Sequence, residues 1–170
     1  MREEIKSTKK LDNKGFSLIE LIIVIAIMAI LVGFVGAQAV PYIEKSKQEK
    51  DQQILSSLLT SATIAFASNA ELLDGTKSTT SFIIGGTPSE LPGDLVKISN
   101  DFYELAGLTD GTSAGGVNAV TILKKKMTSK AGEEIGSITI SRATDGVVTV
   151  TTNMEAGSKY TSVFTALSST

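Results

Sequence analysis

From Leu21 to Val32 every residue is apolar, and the run continues with small interruptions to Ala37. Counted from Phe16 it covers roughly 22 residues, enough at about 1.5 Å per residue to cross the hydrocarbon of a bilayer. In a chain of 170 residues that leaves room for one soluble head of modest size. Ahead of the run, residues 1–15 hold Arg2, Lys6, Lys9, Lys10 and Lys14 against Glu3, Glu4 and Asp12, a net +2. The total is -2, so the rest of the chain carries -4. A basic N-terminus before an apolar segment stays cytoplasmic, which puts the remainder outside.

One carboxylate, Glu20, stands at the start of the run. A charge in a spanning helix costs a few kcal/mol and is seldom kept without a partner. An ordinary secretory signal would end in a small-x-small site, and Ala37 and Ala39 offer one, but that reading leaves Glu20 unexplained. A cut between Gly15 and Phe16 supplies the missing cation as a free α-amino group. Two cut chains offset by about one helical turn would then pair the Phe16 amine of one with the Glu20 carboxylate of the next. The charge sets the register of an otherwise featureless apolar interface.

The stretch "KGFSLIELIIVIAIMAIL" resembles the processing site and N-terminal segment of type IV pilins and their pseudopilin relatives. It has a short basic leader ending in Gly, an apolar Phe after it, and Glu at the fifth mature position. The likeness in motif covers about residues 10 to 45. It implies a membrane-embedded prepilin peptidase that cuts after Gly15 and methylates the new amino group of Phe16, with Glu20 registering a neighbouring subunit. It also implies identical subunits as partners, a cytoplasmic assembly ATPase and a membrane platform. The chain would be a single-pass membrane protein before assembly and a cell-surface filament subunit afterwards, serving adhesion, motility or aggregation.

The resemblance and the residue pattern together predict an α+β fold, a long N-terminal helix packed on a C-terminal antiparallel sheet. The expected parts are a cleaved leader at 1–15, an apolar assembly helix at 16–40, an amphipathic helix at 41–74, a variable connector at 75–119 and a sheet at 117–170. Ala29, Gly33 and Ala37 recur at i, i+4, i+8, a small-residue stripe that lets helix backbones approach. Gly33, Gly36 and Pro41 are poor helix formers, so a kink or unwound stretch is expected there. Beyond Pro41, Leu55, Leu58, Leu59, Ala62, Ala65 and Phe66 fall near helical spacing. The charges from Glu44 to Asp51 read as a solvated collar, and the helix end is expected near Leu73, before Asp74 and Gly75.

In the head, "SFII" and "DFYELAGL" interrupt Gly-, Ser- and Thr-rich loops, the second as one or two helical turns. "VTILKKK" at 120–126 is a strand candidate. "SITISRATDGVVTVTT" predicts a hairpin about an Asp145-Gly146 turn, with Ile138, Ile140, Val148 and Val150 alternating. "KYTSVFTAL" offers a last strand with Tyr160 and Phe164. One helix half lying against an antiparallel sheet buries both apolar faces.

The chain has no cysteine and no histidine. It can form no disulfide, no thiolate metal site and no cysteine nucleophile, and it lacks the commonest general base. Its C-terminal loop cannot be stapled as in many Gram-negative pilins, a departure that favours a Gram-positive source. No segment matches a calcium-loop, Walker A or zinc pattern, so no metal, no cofactor and no enzymatic activity are expected. Lys124, Lys125 and Lys126 read as a solvated strand edge, and the acidic body argues against direct nucleic-acid binding. The competing readings are a pseudopilin of a type II secretion or competence apparatus, and an uncleaved, signal-anchored surface protein with a binding head. Glu20 separates the last from the assembling helix, because an anchor needs no carboxylate.

Overall fold

A computed structural model describes residues 15–73, 80–84, 91–109 and 118–169. The chain divides into two units, Met1–Pro41 and Tyr42–Thr170. The helix α1, Leu18–Ser68, contains Pro41 and is followed by a 3-10 turn, Ala70–Leu72. The α-helix thus ends at Ser68, short of the expected end near Leu73, and only the separate 3-10 turn reaches Leu72. The unwound stretch at 33–41 is not seen: the helical assignment continues through Gly33, Gly36 and Pro41. Proline removes one hydrogen bond, whereas breaking a helix means nucleating a second one, and residues on both sides are good enough formers to carry it through.

In the second unit α1 turns one stripe inward. Asp51, Leu55, Leu58, Ala62, Ala65 and Phe66 are its buried residues, spaced at the three and four that place side chains on one helix face. The chain then forms β1 (Thr80–Ile84), α2 (Gly93–Leu105), α3 (Ala119–Lys126), α4 (Lys130–Glu133), β2 (Ile135–Arg142), β3 (Val148–Met154) and β4 (Leu167–Ser168). The strands make one antiparallel sheet in the order β1-β2-β3-β4. Phe82 and Ile84 of β1, Ile138 and Ile140 of β2 and Val148 and Val150 of β3 are all buried on its inner face. The sheet side chains alternate, so Ser81, Ser141, Thr149 and Ser168 share one cross-strand row on the other face.

The core closes around aromatic rings. Phe82 lies 6.1 Å from Phe66 and 5.4 Å, edge-on, from Phe102, with Tyr103 5.5 Å from Phe102. Such edge-to-face contacts match the positive rim of one ring to the negative face of the next. Burial pushes the Tyr103 phenol up to about 12, because the phenolate would lose its hydration there.

The hairpin forms as expected. Arg142 pairs with Val148, the Ala143 N–H donates to the Val147 carbonyl, and Gly146 takes φ 91°, a conformation that favours glycine. Three expectations are corrected. Residues 120–126 are helix α3, not a strand: Ala119 and Leu123 are buried at i, i+4, and Lys124, Lys125 and Lys126 occupy the last turn, where cations complement the helix dipole. "SFII" is not an isolated piece of connector but part of edge strand β1, in register with β2 from Thr80 opposite Arg142 to Ile84 opposite Ile138. "KYTSVFTAL" contributes only Leu167 to a strand. Phe164 is buried and Tyr160 half-buried, but both reach the core from turns that follow Gly157 at φ 86°. Leader residues 1–14 and most of the expected loops at 74–81, 85–94 and 109–116 lie outside the described residues.

Candidate assembly segment and the anchorage of the stem

Gly15, Phe16 and Ser17 precede α1 as non-helical backbone. Phe16 is 93% exposed, and a Cβ on Gly15 would meet nothing within 4 Å. The scissile pair expected from the sequence is thus open backbone just outside the helix. Glu20 lies in the first turn of α1, and its Oε2 accepts the backbone N–H of Ser17 at 2.8 Å.

Every described residue from Gly15 to Gln38 is exposed, including Leu21, Ile22, Ile25, Met28, Leu31 and Phe34. Within α1 this is the stretch long and apolar enough to cross a membrane. Water would be a poor environment for it: each such side chain gains about 1.5–3 kcal/mol on full burial. Ala29, Gly33 and Ala37 fall on one helix face by their spacing. A Cβ on Gly33 would meet nothing within 4 Å among the described residues, and Ala29 and Ala37 are exposed. Among the described residues no three His, Cys, Asp or Glu side chains gather to hold a metal ion.

The second unit shows what the sequence reading missed. Asp51 is not part of a solvated collar but is fully buried. Its Oδ1 accepts the Thr128 N–H at 2.9 Å and the Thr128 hydroxyl at 3.4 Å. Its Oδ2 accepts the Ser129 N–H at 2.9 Å and, more closely, the Ser129 hydroxyl. Ser129 caps α4 in turn, its Oγ accepting the Gly132 N–H at 3.0 Å. One heptad earlier on α1, Glu44 Oε1 accepts the Lys130 N–H at 2.7 Å. Two carboxylates of α1 thus hold the N–H groups that open α4, satisfying donors that a helix leaves orphaned. The clue was positional: Asp51 precedes Leu55 by four and Leu58 by seven, in the buried stripe.

Two more contacts tie down α1 and the residue that follows it. Asn69 Nδ2 donates to Asp101 Oδ2 at 2.7 Å, and Gln52 Nε2 donates to the carbonyl and hydroxyl of Thr165, each at 3.3 Å. The lysine run has structural work as well. Lys124 pairs with Glu155, and Lys126 donates to the Gly107 carbonyl at 2.9 Å. Lys125, between them, is exposed.

Residues 10–36 match the family model of the prokaryotic N-terminal methylation motif. Over 155 residues the chain is 33% identical to the type IV major alpha-pilin of Moraxella bovis, an alignment covering 89% of this chain and 93% of that protein. No solved structure matches the chain significantly.

Proposed function

Because the chain belongs to the type IV pilin family and is a structural subunit of a pilus, we propose that it is cut between Gly15 and Phe16, methylated on the new Phe16 amine, and polymerised through residues 16–40. The precursor is held in the membrane by its apolar helix, and the mature subunit belongs to a surface filament. The observation that carries the proposal is a wholly exposed apolar run headed by a carboxylate that lies within the residues matching the methylation motif. Exposed apolar surface on this scale needs either lipid or other copies of itself.

In this reading the prepilin peptidase takes the Gly15–Phe16 bond from open backbone. Lipid surrounds the helix first, and identical helices replace it in the filament. Glu20 then receives the Phe16 amine of a neighbouring subunit. The stripe of Ala29, Gly33 and Ala37 permits close helix approach, and Pro41 marks where the assembly segment gives way to the head. An assembly ATPase and a membrane platform drive the process, and the subunit itself performs no catalysis and binds no nucleic acid. The similarity extends over the head as well as the motif, which favours a pilus subunit over a pseudopilin.

The test is mass spectrometry of the N-terminus of material sheared from cells. A chain starting at Phe16, heavier by one methyl group, supports the proposal, and an intact Met1 or a start after Ala39 refutes it. Gly15→Leu should leave uncut precursor in the membrane and no filaments. Glu20→Ala should be cut normally but assemble poorly; normal filament yield from that variant would sink the registry role.

A further inference from the structure

We infer that Glu20 serves its own helix before it serves a neighbour: it supplies the acidic half of a capping box, and the Ser17 N–H is the group that positions the carboxylate. Helix α1 begins at Leu18, so Ser17 is the residue before the first helical one and Glu20 is the third within it. A Ser-x-x-Glu pattern at that place lets the acidic side chain reach back to the N–H of the capping residue, and the 2.8 Å contact from the Ser17 N–H to Glu20 Oε2 is that bond. The helix continues directly from it, with the Leu21 N–H donating to the Ser17 carbonyl.

This arrangement changes the account of why the carboxylate is tolerated. A charged oxygen that accepts a backbone N–H loses less on leaving water, and negative charge at the start of a helix is favoured by the helix dipole. Without Glu20, the Ser17 N–H at the head of an apolar helix would lose this partner in a setting where unpaired backbone is costly. The cap needs no second chain, so it exists in the precursor. It also engages one carboxylate oxygen, Oε2, and holds the side chain back toward the helix start. Oε1 remains the oxygen available to an arriving amine. That last step rests on the assembly reading above; the cap itself does not.

The experiment is amide hydrogen exchange by NMR on the full, unprocessed chain in detergent micelles, comparing wild type with Glu20→Gln and Glu20→Ala. A glutamine side-chain oxygen can still accept the Ser17 N–H, whereas alanine cannot. Ser17 exchange should be slow in wild type and in Glu20→Gln, and about fivefold to tenfold faster in Glu20→Ala, the range expected for loss of a cap of ordinary strength. Amides of residues 24–30 serve as the control that the helix persists in all three. Equally fast exchange at Ser17 in every variant, with that control unchanged, overturns the cap. Filament yield from the same variants tests the intersubunit pairing separately, so failure of one does not read as failure of the other.

Discussion

Replacing Asp51 by alanine is expected to cost the head about 3 kcal/mol of stability, far more than the loss of any exposed carboxylate on α1. Four donors converge on this side chain, and it is fully buried. The two hydroxyls can rotate toward other acceptors, but the Ser129 N–H is fixed by the backbone in a buried position. Thr128 is exposed, so its N–H recovers part of its bonding from water. A hydrogen bond to a charged group contributes about 1.5–3 kcal/mol, and an orphaned buried donor costs about 1–3 kcal/mol. Against these stands the desolvation that the carboxylate no longer suffers, which brings the net to about 3 kcal/mol. Urea unfolding in micelles, followed by tyrosine fluorescence, is the assay, since the chain has three tyrosines and no tryptophan. At a slope of about 2 kcal/mol per molar the midpoint should fall by about 1.5 M. Asp51→Asn keeps one acceptor oxygen while turning an NH2 toward a donor, and should lose about half as much or more. Glu49→Ala, at an exposed position of the same helix, should stay within about 0.5 kcal/mol of wild type. If Asp51→Ala matches Glu49→Ala, the reasoning that the α1 carboxylate secures the 128–129 turn is refuted.

Gly132→Ala should destabilise the same region by about 1–3 kcal/mol, because its Cβ would fall 2.6 Å from Asp51 Oδ2 and 2.7 Å from Met127 Cβ; the same urea titration reads it, and an unchanged midpoint contradicts the packing. Tyr103 supplies a pH dependence. Its folded-state phenol is raised from 10.0 to about 12, so between those values the unfolded chain releases a proton that the folded chain keeps, and stability falls as pH rises through the window. Urea midpoints measured across it should drop more steeply in wild type than in Tyr103→Phe, and parallel curves would argue against a buried phenol.

The elements of this fold were not equally legible in the sequence. The apolar segment and the β2–β3 hairpin carry signals that are local and redundant: a long unbroken run for one, strict alternation with an Asp145-Gly146 turn for the other. Residues 120–126 carry a short ambiguous pattern, in which Val120, Ile122 and the following lysines fit a strand by alternation while Ala119 and Leu123 fit a helix by spacing. Tertiary burial of Ala119 and Leu123 decided for the helix. β1 is five residues long, and what makes it a strand is its pairing with β2, more than fifty positions away. Asp51 was hidden for another reason. A charge among charges reads as solvent-facing, and only its place in the Leu55–Leu58 stripe marked it as inward. In the assembly segment, Glu20 was visible as an anomaly, but the Ser17-x-x-Glu20 spacing that explains part of it is a short pattern overshadowed by the apolar run.

The distribution of burial separates what folds the chain from what assembles it. Every buried side chain of the described residues belongs to the second unit, from Asp51 onward, so that unit carries its own core and its own hydrogen-bonded anchorage. The first unit has helix but no tertiary burial, and an isolated helix in water draws little stability from its backbone alone. Its free energy is therefore set by what surrounds it, lipid in the precursor and other copies in the filament. Substitutions at Asp51, Gly132 or Phe82 act on whether the head folds. On the proposed assembly, substitutions at Glu20, Ala29, Gly33 or Ala37 are expected to act on insertion and subunit packing instead. A Gly33→Leu chain makes the distinction sharp: the open space around Gly33 admits the side chain in a single subunit, leaving the urea midpoint of the head unchanged, while a filament that relies on close helix approach at that stripe has no room for it.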